Sequence, residues 1–506
     1  MSNRPNILLI MTDEHHRDVA GFAGDDIVQT ENLDRLAARS VQFNNATCAN
    51  PVCTPSRMTM LTGLEAHRCA AWSNHWIIFP ERTTWPEHFA AHGYRTALVG
   101  KMHFGGRDQM QGFQHRPYGD LRHGLGHQPE PLTMFPGYHQ ALSAGISEIP
   151  ESLMQDVVVT RETLAYLLEH QDTEPDVPWF VCASYGRPHA PLTAPGRYIR
   201  RYQGKIPPAP QLPEGKELEA YAQRLVQKEE TAEQTNFGRE SYYACVDFVD
   251  DCMGELLDGL EAAELLDNTI VIYTSDHGEM MGIFGIWGKQ TYQEGSVGVP
   301  LLISGPDLPG GAQVQHPVSL MDLFPTTCAL AGLPIPEGLD GVDLSGVLRD
   351  PASAPSPRQF APSACYRYGV RIHYSQTTED TPSAAWRSVQ DERWKYVEVE
   401  RGATLLFDLA NDKLEVNNLA DDPAQAERCA KMKEWLYQGF SWELVHEQLA
   451  KDRARVPEHL SGNQPSTPNQ YMLPDGRIFD AEKSLYDARW LFIPPGVGSI
   501  IPQQFG

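Results

Sequence analysis

The sequence predicts an α/β protein with a mostly parallel, doubly wound sheet flanked by helices, followed by a smaller C-terminal α+β subdomain that carries a short antiparallel sheet. The first observation is a set of short apolar runs, such as residues 6–11 and 269–274, which suit parallel strands covered on both faces. The second is their alternation with helical patterns. The third is a linker rich in Pro, Ser and Ala at residues 350–357.

The elements of the N-terminal part follow from hydrophobic periodicity and from turn residues. Strands are predicted at residues 6–11, 94–99, 179–184, 269–274 and 299–304. Helices are predicted at residues 30–37, 85–92, 156–170 and 320–331, and Thr30 is expected to cap the first of them. A long helical region ends near residue 266 and is expected to break near residues 236–238. We expect loops at residues 105–150, passing over the sheet edge and lining a pocket, and at residues 191–214.

The C-terminal part reads as short strands and a helix. Strands are predicted at residues 386–389, 394–399 and 404–407, and a helix at 423–446. The chain therefore divides into a catalytic domain at 1–349, a C-terminal subdomain at 358–450 and a tail at 451–506. The apolar residues at 490–493 need a surface to cover them, and we expect the tail to lie at an oligomer interface.

Composition excludes several classes of function. The chain has 506 residues and a formal net charge of −25, which argues against nucleic acid and anionic membranes as partners. No segment approaches the ~18 apolar residues of a membrane span. Nine cysteines without tight spacing do not form a disulfide framework. The apolar run at residues 7–11 is too short for a signal sequence, so we expect a cytoplasmic protein.

The stretch Cys53-Thr54-Pro55-Ser56-Arg57 reads as a cysteine at a turn that runs into a helix. Pro55 suits the first helical turn, and Thr54 and Ser56 can accept hydrogen bonds from the free N–H groups there. Gly63 is expected to end this helix. The helix N-terminus and Arg57 together favour an anion. Taken alone, the cysteine is more simply a buried structural residue.

Ionisable residues follow three of the predicted strands. They are Asp13, then Lys101 and His103, then Asp276 and His277. The ends of parallel strands meet at one edge of a sheet, where such folds bind ligands. Two carboxylates and one imidazole suit a hard or borderline divalent ion. Lys101 and His103 lie two apart on a segment expected to be extended, so their side chains should face the same way.

These motifs together resemble the type I sulfatases, over residues 5 to about 423. Cys-x-Pro-Ser-Arg at 53–57 is similar to the signature in which the cysteine is oxidised to formylglycine, the catalytic nucleophile. Residues 100–104 resemble choline sulfatases, and Asp276-His277 resembles the branch that contains choline sulfatases and phosphonate monoester hydrolases. The resemblance implies an alkaline-phosphatase-like fold.

The resemblance also assigns roles to residues. It implies one divalent ion, Mn²⁺ or Ca²⁺, held by Asp13, Asp276, His277 and the formylglycine made from Cys53, and it leaves Glu14 open. The implied catalytic residues are Cys53, Arg57, Lys101, His103, His189 and Lys289, with His189 as general acid assisted by Lys289. The implied substrate contacts are Asn74 and Thr54, and Thr54 can equally be a turn residue. His15, His16 and His75 are expected to be pocket or surface residues and not ligands.

The expected function is hydrolysis of a sulfate monoester, of the arylsulfatase or small alkyl sulfatase type, through a formylglycine sulfate-ester intermediate on the metal. Two alternatives remain open: a phosphonate monoester or phosphodiester hydrolase on the same site, and a non-catalytic metal-binding protein. The resemblance implies a small anionic ester as substrate and a formylglycine-generating enzyme as a maturation partner. We also expect a homo-oligomer.

Overall fold

A computed structural model describes residues 4–74, 76–105, 108–117, 120, 144–147, 149–227, 230–367, 371–373, 376–378, 384–460, 470–472 and 478–480. Most of the predicted loop at 105–150, together with His75 and the apolar residues at 490–493 of the predicted tail, lies outside these residues.

A seven-stranded sheet forms the centre of the larger part of the molecule. The strands of this part are β1 (Asn6–Asp13), β2 (Val41–Thr47), β3 (Arg95–Gly100), β4 (Ala144–Ile146), β5 (Trp179–Pro188), β6 (Leu192–Ala194), β7 (Thr269–Ser275), β8 (Leu301–Ser304) and β9 (Ala312–Ser319). The order in the central sheet is β3-β5-β1-β7-β8-β2-β9, and β8 alone runs antiparallel to its neighbours. β4 and β6 form a separate pair.

Helices cover both faces of this sheet. They are α1 (Glu31–Ala38), α2 (Cys53–Thr62), α3 (Trp85–Ala91), α4 (Gln155–Thr173), α5 (Gly196–Tyr202), α6 (Ala220–Gln223), α7 (Ala232–Ala262), α8 (Glu294–Val297), α9 (Leu323–Leu330) and α10 (Ser345–Arg349). Along β1, Ile7 and Leu9 point into one apolar core while Leu8 and Ile10 point into the other. The predicted doubly wound fold is therefore confirmed.

The C-terminal part carries the predicted antiparallel sheet. Its elements are β10 (Ala361–Arg367), β11 (Arg371–His373), β12 (Gln376–Thr378), β13 (Ala384–Gln390), β14 (Trp394–Val399), β15 (Thr404–Asp408), α11 (Ala426–Leu436), α12 (Trp442–Leu460), β16 (Gln470–Met472) and β17 (Ile478–Asp480). The main sheet has the order β10-β13-β14-β15. The helix predicted at 423–446 is thus two helices, and the second continues past residue 450 into the predicted tail.

Several local predictions are wrong. α7 runs without a break through residues 236–238, and the loop predicted at 191–214 contains β6 and α5. Thr30 sits at the N-cap position of α1 but does not cap it, because its hydroxyl accepts a hydrogen bond from the N–H of Gly21 instead. The carboxylate of Asp250 on α7 accepts the N–H groups of Asn32 and Leu33 and takes over that role.

Charged contacts join the C-terminal sheet to the larger part. Lys395 on β14 is fully buried, and its Nζ lies 2.6 Å from Glu294 Oε1 and 2.8 Å from Glu415 Oε1. Arg387 on β13 pairs with Glu65, which follows α2. Within the described residues, no helix is both long and apolar enough to cross a membrane.

Candidate active site

The candidate site lies at the carboxyl edge of the central sheet. β1, β5 and β7 lead directly into Asp13-Glu14, His189 and Asp276-His277, and β3 leads into Lys101. β2 runs parallel to them and leads into the loop that ends at Cys53. The topology thus brings the polar residues that follow five parallel strands to one place, as expected for an open α/β sheet.

Cys53 is the first residue of α2, whose N-cap is Val52. Pro55 lies in the first turn and Gly63 ends the helix in the left-handed conformation, as predicted. Thr54 and Ser56 do not cap the helix. The Thr54 hydroxyl instead donates to the carbonyl of His103, and the Ser56 hydroxyl donates to the carbonyl of Asp276, so α2 is tied to two neighbouring loops.

Asn74 also supports the start of α2. Its Oδ1 accepts the backbone N–H of Thr54 at 3.0 Å. Both residues predicted as substrate contacts therefore make structural hydrogen bonds beside Cys53.

The four residues predicted as metal ligands come together. Potential ligand atoms of Asp13, Cys53, Asp276 and His277 all lie within 4.8 Å of one another, and all four residues are buried. Cys53 Sγ is 3.2 Å from His277 Nε2 and 3.9 Å from Asp13 Oδ1. His277 Nε2 is 3.7 Å from Asp276 Oδ1.

The arrangement of His277 suits a metal ligand. Its Nδ1 lies 2.9 Å from the carbonyl of Gly278, so Nδ1–H is the donor and the Nε2 lone pair faces the two carboxylates. Burial opposes protonation, but the Asp276 carboxylate raises the pKa of His277 to about 9. A proton and a divalent ion therefore compete for Nε2. Two carboxylates and one imidazole fit a divalent ion of intermediate hardness.

Arg57 holds the two carboxylates in place. It is almost fully buried, and its Nη2 and Nε lie 2.8 Å from Asp13 Oδ2 and 2.9 Å from Asp276 Oδ2. Its Nη1 donates to the carbonyl of Lys101 at 2.6 Å and to the Ser184 hydroxyl at 3.1 Å. One guanidinium thus links four segments of the site, which a lysine cannot do.

Lys101 and His103 converge on the same point, although not for the predicted reason. β3 ends at Gly100, and His103 has a left-handed backbone with φ of 57°, so the segment is not extended. Lys101 Nζ lies 2.6 Å from Asp13 Oδ2, and the His103 side chain is one of the groups that lower the pKa of the Cys53 thiol. The Asp120 carboxylate fixes this turn by accepting the N–H groups of Met102 and His103.

The surrounding cations favour an anion at position 53. Burial alone would raise the pKa of the Cys53 thiol, but Lys289, Lys101 and His277 hold it well below its usual value. The same cations are suited to bind the oxygens of a tetrahedral anion at this point.

His189 and Lys289 meet at Glu14, on the open side of the site. His189 Nε2 lies 3.4 Å from Glu14 Oε2, and Lys289 Nζ lies 3.0 Å from Glu14 Oε1. The His189 side chain is 23% exposed, so it can reach a substrate. Asp13, Glu14 and His189 could also hold a cation. Lys101 and Lys289 already neutralise these two carboxylates, however, and we do not treat the group as a second metal site.

Three supporting carboxylates were not identified from sequence: Asp120, Asp156 and Glu279. Asp156 accepts the N–H groups of Gly186 and Arg187 and pairs with the Arg187 guanidinium at 2.6 Å, which fixes the loop that carries His189. Each of the three bonds backbone N–H groups of a loop. No local sequence pattern identifies them, since Asp120 lies in a predicted loop and Asp156 begins a predicted helix.

The histidines near the first strand are structural. His15 is buried, with Nδ1 2.5 Å from the Tyr273 hydroxyl and Nε2 2.8 Å from the carbonyl of Val19. His16 accepts the N–H of Asp18. The expectation that His15 and His16 are not ligands agrees with these contacts, whereas His75 is outside the described residues.

Comparison with known proteins agrees with this geometry. A model of the family described as Sulfatase matches residues 5–333, and a model described as the C-terminal part of N-sulphoglucosamine sulphohydrolase matches residues 282–440. A choline-sulfatase of Rhizobium meliloti is 31% identical over 457 residues, which cover 83% of each chain.

Two solved structures share the fold. A phosphonate monoester hydrolase of Agrobacterium radiobacter has a TM-score of 0.71 at 24% identity, covering 94% of this chain and 99% of that one. A protein called BT4656, solved with its substrate D-glucosamine-2-N,6-O-disulfate, has a TM-score of 0.71 at 22% identity, covering 88% and 98%.

Proposed function

This chain belongs to the sulfatase family and is a hydrolase of sulfate esters, and we propose that it cleaves a small aryl or alkyl sulfate monoester at the site around Cys53. The observation that carries the proposal is the convergence of Asp13, Cys53, Asp276 and His277 within 4.8 Å. Lys101 lies beside this group and supplies positive charge for the anionic ester.

We assign the metal site to Asp13, Asp276, His277 and the formylglycine made from Cys53, with Mn²⁺ or Ca²⁺ as the ion. The mixture of carboxylate oxygens and one imidazole supports this choice. When bound, such an ion lowers the pKa of a hydroxyl nearby and polarises the oxygens of the sulfate group. Arg57 keeps the two carboxylates oriented toward one point.

The formylglycine at position 53 would supply the nucleophile, a hydroxyl of the hydrated aldehyde. We assign Lys101 to bind the sulfate group and His103 to remove a proton from the residue at position 53, whose pKa His103 already lowers. His189 gives a proton to the leaving oxygen, and Lys289 stabilises the charge there. Asn74 and Thr54 hold the start of α2 and border the substrate.

Two measurements test this proposal. The tryptic peptide that contains residue 53, purified from a host with a formylglycine-generating enzyme, should be lighter by about 18 Da than the unmodified cysteine peptide. The protein should hydrolyse an aryl sulfate, and Cys53→Ala should abolish that activity. An unmodified thiol in an active protein would refute the role of formylglycine, and an inactive protein that carries formylglycine would refute the proposed reaction.

Phosphonate monoester hydrolysis is the second candidate. The structural similarity to the phosphonate monoester hydrolase supports it at the level of the fold alone. Comparing kcat/KM for one aryl group as its sulfate and as its phosphonate monoester ranks the two reactions. A non-catalytic metal-binding protein would show neither activity.

The remaining proposals concern context. We propose a cytoplasmic homo-oligomer that is matured by a formylglycine-generating enzyme, with a catalytic domain at 1–349, a C-terminal subdomain from 358 and a tail that contributes to the oligomer. All nine cysteines are described and none forms a disulfide bond, which supports a reducing compartment. Light scattering of the full chain and of a chain ending at residue 460 tests the role of the tail.

A further inference from the structure

Glu279 closes the loop that presents Lys289. The residue is 1% exposed, and its Oε1 accepts the backbone N–H of Met281 at 2.9 Å and of Gly288 at 2.6 Å. The N–H of Met280 donates to the carbonyl of Gly288 at 2.8 Å. The carboxyl group therefore fixes the main chain immediately before Lys289.

Glu14 holds the ammonium group of Lys289. Glu14 Oε1 lies 3.0 Å from Lys289 Nζ. The backbone of Glu14 is itself fixed, because its N–H donates to Asp276 Oδ1 and its carbonyl accepts from the Tyr242 hydroxyl. Glu279 thus fixes the main chain that carries Lys289, and Glu14 binds its ammonium group.

We propose that Glu279 is a positioning residue that sets the place of Lys289 beside the leaving group. This inference rests on the proposed function, in which Lys289 stabilises charge on the leaving oxygen. Burying a carboxyl group costs free energy, and the described hydrogen bonds of Glu279 both go to the loop that carries Lys289, which indicates a role in orienting that residue.

The leaving group provides the readout. An alkoxide, or the oxygen of a weakly acidic phenol, develops more charge in the transition state than the oxygen of a strongly acidic phenol. Displacing Lys289 should therefore slow poor leaving groups more than good ones and lower kcat more than it raises KM. A residue that merely stabilises the fold would affect all esters equally.

The experiment compares Glu279→Ala, Glu279→Gln, Glu279→Asp, Lys289→Ala and the double variant Glu279→Ala/Lys289→Ala on a series of aryl sulfates. Glu398→Ala is the matched control, since Glu398 is a buried glutamate that accepts two tyrosine hydroxyls on the C-terminal sheet. All variants are first checked for formylglycine content and for their melting temperature.

We expect Glu279→Ala to lower kcat about 10–100-fold, most for the poorest leaving group. Glu279→Gln keeps an acceptor for the two N–H groups, and it should recover to within about 5-fold of wild type. Glu279→Asp is too short for both contacts and should resemble the alanine variant. The double variant should be no slower than Lys289→Ala, because both changes remove one interaction.

The inference is overturned if the losses of the two single variants multiply in the double variant, or if Glu279→Ala changes the leaving-group dependence no more than Glu398→Ala does. If Glu279→Ala does not fold, the aspartate variant alone and in the Lys289→Ala background decides the question in the same way. A wild-type protein that hydrolyses no sulfate ester would refute the proposed function and this inference together, whereas an active wild type with multiplying losses refutes only the inference.

Discussion

Replacing Arg57 with lysine should damage the proposed metal site while keeping the charge of the side chain. The arginine binds four oxygen acceptors: one on Asp13, one on Asp276, the carbonyl of Lys101 and the hydroxyl of Ser184. A single ammonium group cannot span both carboxylates. Losing about two charge-assisted hydrogen bonds at about 1.5–3 kcal/mol each should reduce the free energy of unfolding by about 3–6 kcal/mol.

The same substitution should weaken metal binding. In Arg57→Lys, Asp13 and Asp276 lose the guanidinium that orients both of them. Loss of a residue that orients metal ligands typically costs about 10–100-fold in metal affinity, and we expect a decrease of this size for Mn²⁺. Equilibrium dialysis against Mn²⁺ with metal analysis measures the affinity, and calorimetry measures the melting temperature, which should fall by about 3–6 °C.

Arg387→Lys is the control for this measurement. Arg387 is equally buried, pairs with Glu65 through two nitrogens and lies on the C-terminal sheet. Its variant should lose comparable stability and keep its affinity for Mn²⁺. Wild-type metal affinity in Arg57→Lys, or an equal loss of affinity in Arg387→Lys, would refute the reasoning that Arg57 orients the ligands.

Three further predictions concern buried ionisable groups. Burial lowers the pKa of His67 from 6.5 to about 4, so the free energy of unfolding falls as the pH drops below 6.5 and the unfolded state takes up a proton. Between pH 7.5 and pH 5 this loss should be about 2 kcal/mol, and His67→Phe should remove it. Equal pH dependence of urea unfolding in both proteins would contradict this. Lys395→Met removes the cation that pairs with the buried Glu415, whereas Glu294 keeps Arg17 as a partner. The substitution should cost about 3–5 kcal/mol, part of which Glu415→Gln should restore in the double variant. A melting temperature equal to wild type would show that the pair contributes nothing. Asp156→Ala frees the loop that carries His189 and should lower kcat at least about 10-fold, with partial recovery in Asp156→Asn; unchanged kcat in a folded variant would exclude the support we describe.

The sequence predicts the architecture well where the signal is local. The strands of the parallel sheet are short apolar runs because both faces are covered, as the fully buried Leu8 and Leu9 illustrate. The residues that follow these strands could be placed at one edge because topology alone determines where parallel strands end. The convergence of Asp13 and Asp276 with His277 follows from that argument and from the family resemblance.

What could not be predicted depends on contacts between distant segments. The break expected near residues 236–238 is absent because tertiary packing of α7 on the sheet, where Gly238 is buried, overrides local helix propensity. Asp250 replaces Thr30 as the cap of α1 from 218 positions away. The sequence analysis did not predict α5, because the prolines and the glycine around it favour a loop. In the structure, Tyr198 and Tyr202 of α5 pack into one of the two apolar cores.

The supporting contacts of the site are of the same kind. Glu279 follows a recognisable Asp-His-Gly motif. Its hydrogen-bond partners, Met281 and Gly288, lie in a loop without hydrophobic periodicity, so their positions could not be predicted from the sequence. Asp120 and Asp156 are ordinary acidic residues in sequence, and their roles appear only when the strands are assembled. Sequence thus identifies the groups that contact a ligand more readily than the groups that hold them.

The burial of Cys53 has a consequence for the timing of biosynthesis. Its thiol is covered by His277, which lies 224 positions later in the chain. At about 5–20 residues per second, the ribosome needs roughly 10–45 s to travel from one to the other. During that interval His277 has not yet been synthesised, so the proposed maturation enzyme can reach the thiol of Cys53 in the nascent polypeptide. Once the sheet edge has assembled, the thiol is buried and that access is lost.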